Sequence, residues 1–595
     1  MPDTASSEQA AGFSSAFAIF EGGGARGLAH VGALRALEEE GHALVGVAGT
    51  SAGAIIAALV AVGYRPDEIF TDGENNILTT LGHASPIAIL GHKQWAKFRR
   101  LRKRAALTVF PLGCPFLLLA VYSAAWLFYD FWAGLNGQAA SFMLVFRILA
   151  VCTLAGLVVA IVFGWWFGSV LRSGGLFDSA ALRNLINDAL RHKLAEHYAS
   201  IDKPLEELPD VVCFKHIDPA VIRKCVPLKI VVTNVQKGQL ELFDNRDHST
   251  PVAGVVAASA ALPLAFRPAR LTGDARFSET VFTDGGLVSN LPSWAFREEK
   301  KAREREETHH GATSRIPIYA FALRSFDEPE DPKTKKADRY TGMRGSLRYA
   351  LDVLNAGVFG SQSIVADFIP DLRPVELRTR LKTVDFDCSG AAAKEAVEQG
   401  YEDARGYLRH ERLVHEITKL ALEEIQSAMM GAIAPRPEGA AGPRLRVFLI
   451  DPIYGRSQDD VRGFRIVAGC NCNTDADDRL ELDLYRSIVA EAFHSKKPTF
   501  GRIGNRTAAE LFMTKYERAL LPPDLESVIA IPVFADPEVG GIPQRILAID
   551  SNDDLLQDFD NAQLGAILAE RAAAMSRKMI EEIYTAEFGS ENEND

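Results

Sequence analysis

Gly49-Thr50-Ser51-Ala52-Gly53 sets a serine between small residues where an apolar run passes into an alanine-rich stretch. A strand-to-helix turn that tight admits only small neighbours and projects its hydroxyl at the positive end of the following helix, which suits a nucleophile. Taken alone, the same five residues also fit a helix N-terminus capped by Ser or Thr. A second cluster, Gly22-Gly23-Gly24-Ala25-Arg26-Gly27, follows another apolar run and precedes another helical pattern. Its backbone N–H groups can converge on an anion, such as the oxyanion of an acyl tetrahedral intermediate. Gly22, Gly24 and Gly27 also satisfy GxGxxG, but a dinucleotide site expects an acid closing the second strand, and that strand ends Val47-Ala48-Gly49-Thr50-Ser51. Asp284, before Gly285-Gly286, reads either as an Asp-Gly turn residue or as a carboxylate able to take a serine's proton.

These residues need elements to hold them. SAFAIF (15–20) reads as a buried strand, 28–40 as a helix with Leu28, Val31, Leu34 and Leu37 on one face, and ALVGVA (43–48) as a second strand. Strand, loop, helix, strand, turn, helix is the pattern of a parallel α/β sheet. An amphipathic helix over 177–198 and strands at 228–233, 239–243 and 316–323 continue it, while EEKKAREREE (298–307) reads as a solvated helix end or loop and 324–345 as a surface loop.

Between these parts, residues 105–129 and 148–171 form uncharged stretches of 25 and 24 residues, each long enough to cross a bilayer. Trp126, Tyr129, Trp132, Trp165 and Trp166 suit the interface, and KFRRLRKR (97–104) puts six basic residues before the first stretch. A two-helix transmembrane hairpin with both termini and the catalytic part in the cytoplasm is expected. The chain is 595 residues long with a net charge of −12 and 47% hydrophobic residues, which argues against disorder and a basic nucleic-acid binder. Seven scattered cysteines without paired CxxC spacing indicate neither a disulfide framework nor a metal site, and no cofactor is expected. His30, His42 and His83 sit at no triad spacing and read as structural.

FEGGGARGLAHVGALRALEE (20–39), GTSAGAIIAALVAVGY (49–64), GGLFDSAALRNLI (174–186), AASAALPLAFRP (257–268) and TDGGLVSNLP (283–292) together resemble the patatin-like phospholipases, in that family's order and over roughly 17–410. The resemblance implies acyl transfer by a Ser and Asp dyad without histidine. It makes Ser51 the nucleophile, Asp284 the base, Gly22, Gly23, Gly24 and Arg26 the oxyanion hole, and Gly49 and Gly53 the nucleophile elbow. It also implies a membrane phospholipid or lysophospholipid substrate and a catalytic domain over 1–104 and 172–410, split by the hairpin.

APRPEGAAGPRL (434–445) reads as a linker, preceded by an amphipathic helix over 412–432. Beyond it, 444–595 resembles a GAF domain of α+β type, with strands at 445–450, 527–534 and 545–550, a helix over 484–494 and a last helix over 561–587. That resemblance implies a module for a small-molecule ligand or for homodimerisation. The expected whole is a membrane-anchored serine lipid acyl hydrolase regulated by its C-terminal domain. Its rivals are a GAF-centred membrane sensor or scaffold and a lipid acyltransferase using the same dyad.

Overall fold

The computed structural model describes residues 14–83, 175–271, 277, 280–309, 316–326, 372–432 apart from 384 and 387, 443–454, 461–470, 481–504, 521–534 and 542–554. The expected membrane stretches 105–129 and 148–171, the basic flank 97–104 and the expected last helix 561–587 lie outside these residues. Among the described residues no helix is long and apolar enough to cross a membrane.

The first sheet has the order β10-β9-β1-β2-β4-β8-β7, with β5 beside β4. Its strands are β1 Ser14–Phe20, β2 His42–Gly49, β4 Leu228–Asn234, β5 Gln239–Phe243, β7 Ala269–Arg270, β8 Val281–Asp284, β9 Ile318–Ser325 and β10 Leu372–Thr379. From β10 to β4 every pairing is parallel, as the alternating pattern predicts. The expectation of a parallel sheet fails at the other edge, where β5, β7 and β8 run antiparallel. There the chain turns back locally from β4 into β5, and only an antiparallel pairing can follow so short a connection. A separate parallel pair joins β3 Gly175–Phe177 to β6 Leu264–Phe266.

Alternation along β1 sorts side chains to two faces. Ala16, Ala18 and Phe20 enter the large core with α1 (Ala29–Glu39), α2 (Ala52–Ala61), α3 (Ala180–Ser200) and α4 (Val252–Ser259), whereas Phe17 and Ile19 meet Ala295, Phe296 and Ile316 on the reverse. Each fully buried Phe or Leu of these layers contributes about 1.5–3 kcal/mol. The charged run expected as a helix end or loop lies in helix α5 (Arg297–His309), whose Glu299 neutralises the buried Lys229 ammonium at 2.6 Å.

The helix expected over 412–432 starts much earlier, as part of α6 (Gly390–Ala432), 43 residues long. Its first half crosses α1 at backbone distance. A Cβ on Gly32 would lie 1.9 Å from the Val397 carbonyl oxygen, and one on Gly400 would lie 2.2 Å from that of Ala29. Its last turns, through Leu422, Ile425 and Met429, pack on a second sheet of order β13-β12-β11-β16-β15-β14.

That sheet comprises β11 Leu445–Tyr454, β12 Val461–Cys470, β13 Glu481–Leu482, β14 Thr499–Arg502, β15 Ser527–Val533 and β16 Arg545–Ser551, all paired antiparallel. Val447 and Leu449 of β11 face α6, while Phe448 and Ile450 face α7 (Ile488–Ser495). Arg446 stands opposite Asp550 across β11 and β16, its Nε donating to Asp550 Oδ1 at 2.8 Å, with both side chains buried.

Candidate active site

Ser51 occupies the turn between β2 and α2 with φ 54 and ψ −121, a conformation that non-glycine residues rarely adopt. Holding it costs on the order of 1–3 kcal/mol, and the neighbours that enforce it are visible. A Cβ on Gly49 would lie 2.2 Å from the Gly53 carbonyl oxygen, and one on Gly53 would lie 2.2 Å from that of Phe20. The two glycines therefore let β1, β2 and α2 close on the turn. The Ser51 N–H donates to Ser259 Oγ at 2.9 Å, and that hydroxyl donates to the Val231 carbonyl at 2.7 Å, so the turn is tied to β4. Thr50 Oγ1 donates to the Ser289 carbonyl at 3.1 Å and fixes the other side.

Asp284 ends β8 opposite Val232, while the pairing of β2 with β4 ends at Gly49 opposite Ile230. The antiparallel edge thus delivers a carboxylate next to the serine turn, beyond the end of β2. Ser51 Oγ donates to Asp284 Oδ2 at 2.9 Å, and the Gly286 N–H donates to Oδ1 at 2.7 Å. Gly285 is required here because a Cβ would lie 2.2 Å from the Val231 carbonyl oxygen. Asp284 is 5% exposed. Burial pushes its carboxyl up to about 6, against the opposing hydrogen bonds from Gly286 and Ser51. Such a carboxylate is ionised near neutral pH yet basic enough to take a proton, which suits a general base.

The glycine loop leaves β1 and turns through a short 3-10 segment, Gly24–Leu28. A Cβ on Gly22 would lie 2.9 Å from Ser51 Cβ, so the loop runs directly past the serine. Gly24 has φ +58, and a Cβ there would lie 2.1 Å from the Thr383 carbonyl oxygen, which accepts from the Ala25 N–H. Among the described residues the Gly23 and Gly24 N–H groups make no hydrogen bond. Arg26 lies beside this loop. Its Nε is buried without a hydrogen bond, near the place a Cβ on Gly23 would occupy, and it does not line the cavity that Ser51 opens into.

That cavity has a volume of about 360 Å³, and its walls are chiefly apolar, with Ile55, Ile56 and Leu59 of α2 and Leu182, Leu185 and Ile186 of α3. His83 lines it as well, but no histidine among the described residues bonds Ser51 or Asp284. His30 donates Nε2 to the Glu21 carbonyl at 2.9 Å, and complete burial lowers its pKa to about 4, which leaves it neutral. Among the described residues no group of His, Cys, Asp and Glu could hold a metal ion.

Three buried polar residues of the site lie inside the quoted blocks without a role assigned to them there. Glu21 precedes the glycines, Ser259 lies in AASAALP and Asn290 in SNLP, and each looks like an ordinary polar residue beside an apolar run. The available signal was polarity inside segments otherwise fit for a core, since buried polar groups need partners.

Residues 18–297 match the family model for patatin-like phospholipase. The sheet extends past that match, to Thr379 of β10. The chain is 24% identical over 329 residues to the uncharacterized protein YqhO of Bacillus subtilis (strain 168), spanning 53% of this chain and 81% of that one. Among solved structures, VipD from Legionella pneumophila overlaps 67% of this chain and 67% of its own at 17% identity and TM-score 0.30. The GAF domain from an Acinetobacter phosphoenolpyruvate-protein phosphotransferase overlaps 29% of this chain and 90% of its own at 14% identity and TM-score 0.18. Overlaps that loose bear on neither chemistry nor partners.

Proposed function

Starting from a chain that carries a patatin-like phospholipase domain over residues 18–297, and with it a patatin-like lipid esterase, we propose that Ser51 and Asp284 are its nucleophile and base. The observation that supports this most is the 2.9 Å hydrogen bond from Ser51 Oγ to Asp284 Oδ2, with Ser51 lining an apolar cavity. Ser51 Oγ attacks the ester carbonyl while its proton passes to Asp284, and the oxyanion takes hydrogen bonds from the Gly23 and Gly24 N–H groups. Collapse expels the lipid alcohol, which leaves with the proton that Asp284 holds. Water, deprotonated by Asp284, then attacks the acyl-enzyme and frees the fatty acid and Ser51. The acyl chain lies in the cavity between α2 and α3.

The substrate class is phospholipid or lysophospholipid of the cytoplasmic leaflet, and the hairpin over 105–171 anchors the enzyme there. The length of its two uncharged stretches, 105–129 and 148–171, and their aromatic flanks support that reading. The GAF-like unit regulates the site through α6, whose residues Gly390 and Ala393 line the cavity and whose Leu422, Ile425 and Met429 sit in the core of the second sheet.

Fatty-acid release from mixed phospholipid vesicles, followed for the detergent-purified full chain beside Ser51→Ala and Asp284→Asn, tests the proposal. Release by the wild type and a loss of at least about a hundredfold in both variants is expected. Activity that survives Ser51→Ala removes the assignment. Acyl transfer to added lysolipid in place of free fatty acid keeps the dyad but makes the enzyme a transferase.

A further inference from the structure

Asn290 touches both halves of the site without lining the cavity. Its Nδ2 donates to Glu21 Oε1 at 2.9 Å and to the Gly22 carbonyl at 3.1 Å, and its own carbonyl accepts from the Gly22 N–H at 3.1 Å. Three hydrogen bonds therefore tie one residue to the start of the glycine loop. Its Oδ1 would lie 2.5 Å from a Cβ on Gly22 and 2.7 Å from one on Gly286, so it is wedged between the glycine loop and the turn whose N–H holds Asp284. Glu21 is fixed in turn, because its Oε2 accepts from the Leu323 N–H on β9. Glu21 and Asn290 are 7% and 8% exposed, and burial raises the Glu21 carboxyl above the usual carboxylate range.

On the reading that Ser51 and Asp284 carry out the chemistry, we propose that Asn290, held by Glu21, is a positioning residue. It sets the separation between the free Gly23 and Gly24 N–H groups and the Ser51–Asp284 pair, and touches neither substrate nor reacting atoms. The glycine loop has no side chains of its own with which to hold a shape, so its geometry must come from a neighbour. Asn suits the position chemically because its amide donates two hydrogen bonds while its oxygen fits between two glycines. A shorter side chain leaves the Glu21 carboxyl and the Gly22 carbonyl buried without that donor. Asn290→Asp removes the two N–H donors and sets a second carboxyl against Glu21. Arg324 Nη1 lies 3.8 Å from Glu21 Oε2 and Arg26 also faces Glu21, but burial outweighs both guanidinium groups, so the two carboxyls share one proton and the protonated one restores a single donated hydrogen bond at low pH.

The test uses the full chain in detergent micelles, with two readouts: the rate at which a fluorophosphonate labels Ser51, and kcat and KM for a soluble acyl ester. Fluorophosphonate uptake forms the Oγ–P bond, expels fluoride and places an oxygen on the oxyanion donors, so it reports the same geometry independently of lipid binding. Asn290→Ala is expected to slow labelling and lower kcat roughly tenfold to hundredfold, with KM moving by less than about threefold. The ratio of Asn290→Asp to wild-type rate is expected to fall as pH rises from about 6 to 9, since the shared proton is then lost. Labelling of Asn290→Ala at the wild-type rate, a change in KM alone, or a pH-independent ratio for Asn290→Asp overturns the proposal. Should Asn290→Ala fail to fold, Asn290→Asp carries the test, with thermal unfolding recorded at each pH. A wild type that takes up no fluorophosphonate overturns the Ser51 reading itself, whereas labelled wild type with unaffected variants overturns only the role given to Asn290.

Discussion

Two buried acids of this chain, Asp550 in the second sheet and Asp284 in the first, are held in opposite ways. In the second sheet Arg446 and Asp550 stand opposite each other and neutralise one another inside the same ladder. In the first, the Asp284 carboxylate is buried at a strand end and, among the described residues, accepts two hydrogen bonds, from Ser51 and Gly286, with no cation beside it. A neutralised pair contributes a defined register and leaves no base behind. An unneutralised carboxylate costs stability and gains basicity, and the parallel centre with its antiparallel edge is what places it beside a strained serine. The difference teaches that buried charge becomes chemically useful where the fold denies it a counter-ion.

Several substitutions break or sharpen that contrast. Ser51→Ala should lower kcat at least about a thousandfold while the unfolding midpoint stays level or falls slightly, because alanine keeps the Cβ and the strained φ of 54 and removes only the hydroxyl that donates to Asp284. Arg446→Ala leaves Asp550 buried without its partner and should cost about 3–5 kcal/mol, read from urea unfolding of the second sheet. Equal stability in that variant would show the pair to be less committed than its burial implies.

Asp284→Asn should do the reverse and stabilise the protein. The folded carboxyl sits near 6 against an ordinary 3.8, so the folded state holds a proton more tightly than the unfolded chain does. Its contribution is therefore fully present below about pH 4 and lost as pH rises through about 6. The gain from Asp284→Asn should reach at most about 3 kcal/mol above pH 6 and vanish near pH 4, which thermal unfolding across pH checks. A gain that is flat with pH assigns the effect to something other than charge. The smallest effect concerns the cavity wall, where Ile186→Phe should lower the rate on long acyl chains relative to short ones by about tenfold, measured with a chain-length series.

Ser51 and Asp284, which the structure brings together, were legible because such chemistry confines them to few sequences. A serine turn needs Gly49 and Gly53, an oxyanion loop needs its glycines, and Asp284 stands before two more, so type and spacing carry the information. The strands β1, β2, β4 and β9 were legible for a similar reason, as short apolar runs between turn residues. Less legible was whatever depends on partners far along the chain. Glu21 meets Leu323 and Asn290 across about 300 residues, and although Glu21 and Asn290 stand in the quoted blocks, nothing local shows that they meet. The antiparallel edge hides likewise, because strand direction follows from connections and not from the four residues of β8. The first half of α6 went unread because Gly400 and Gly406 weaken its helical pattern, although Gly400 is there to let α1 approach.

The most direct test of the central claim is the pH dependence of kcat/KM on a soluble ester, for wild type beside Asp284→Asn. A buried carboxylate base predicts an acid limb with an apparent pKa of about 6, falling tenfold per pH unit below it, and the loss of that limb with most of the activity in Asp284→Asn. A wild-type limb at the ordinary carboxylate position, or one that persists unchanged in Asp284→Asn, would contradict the account.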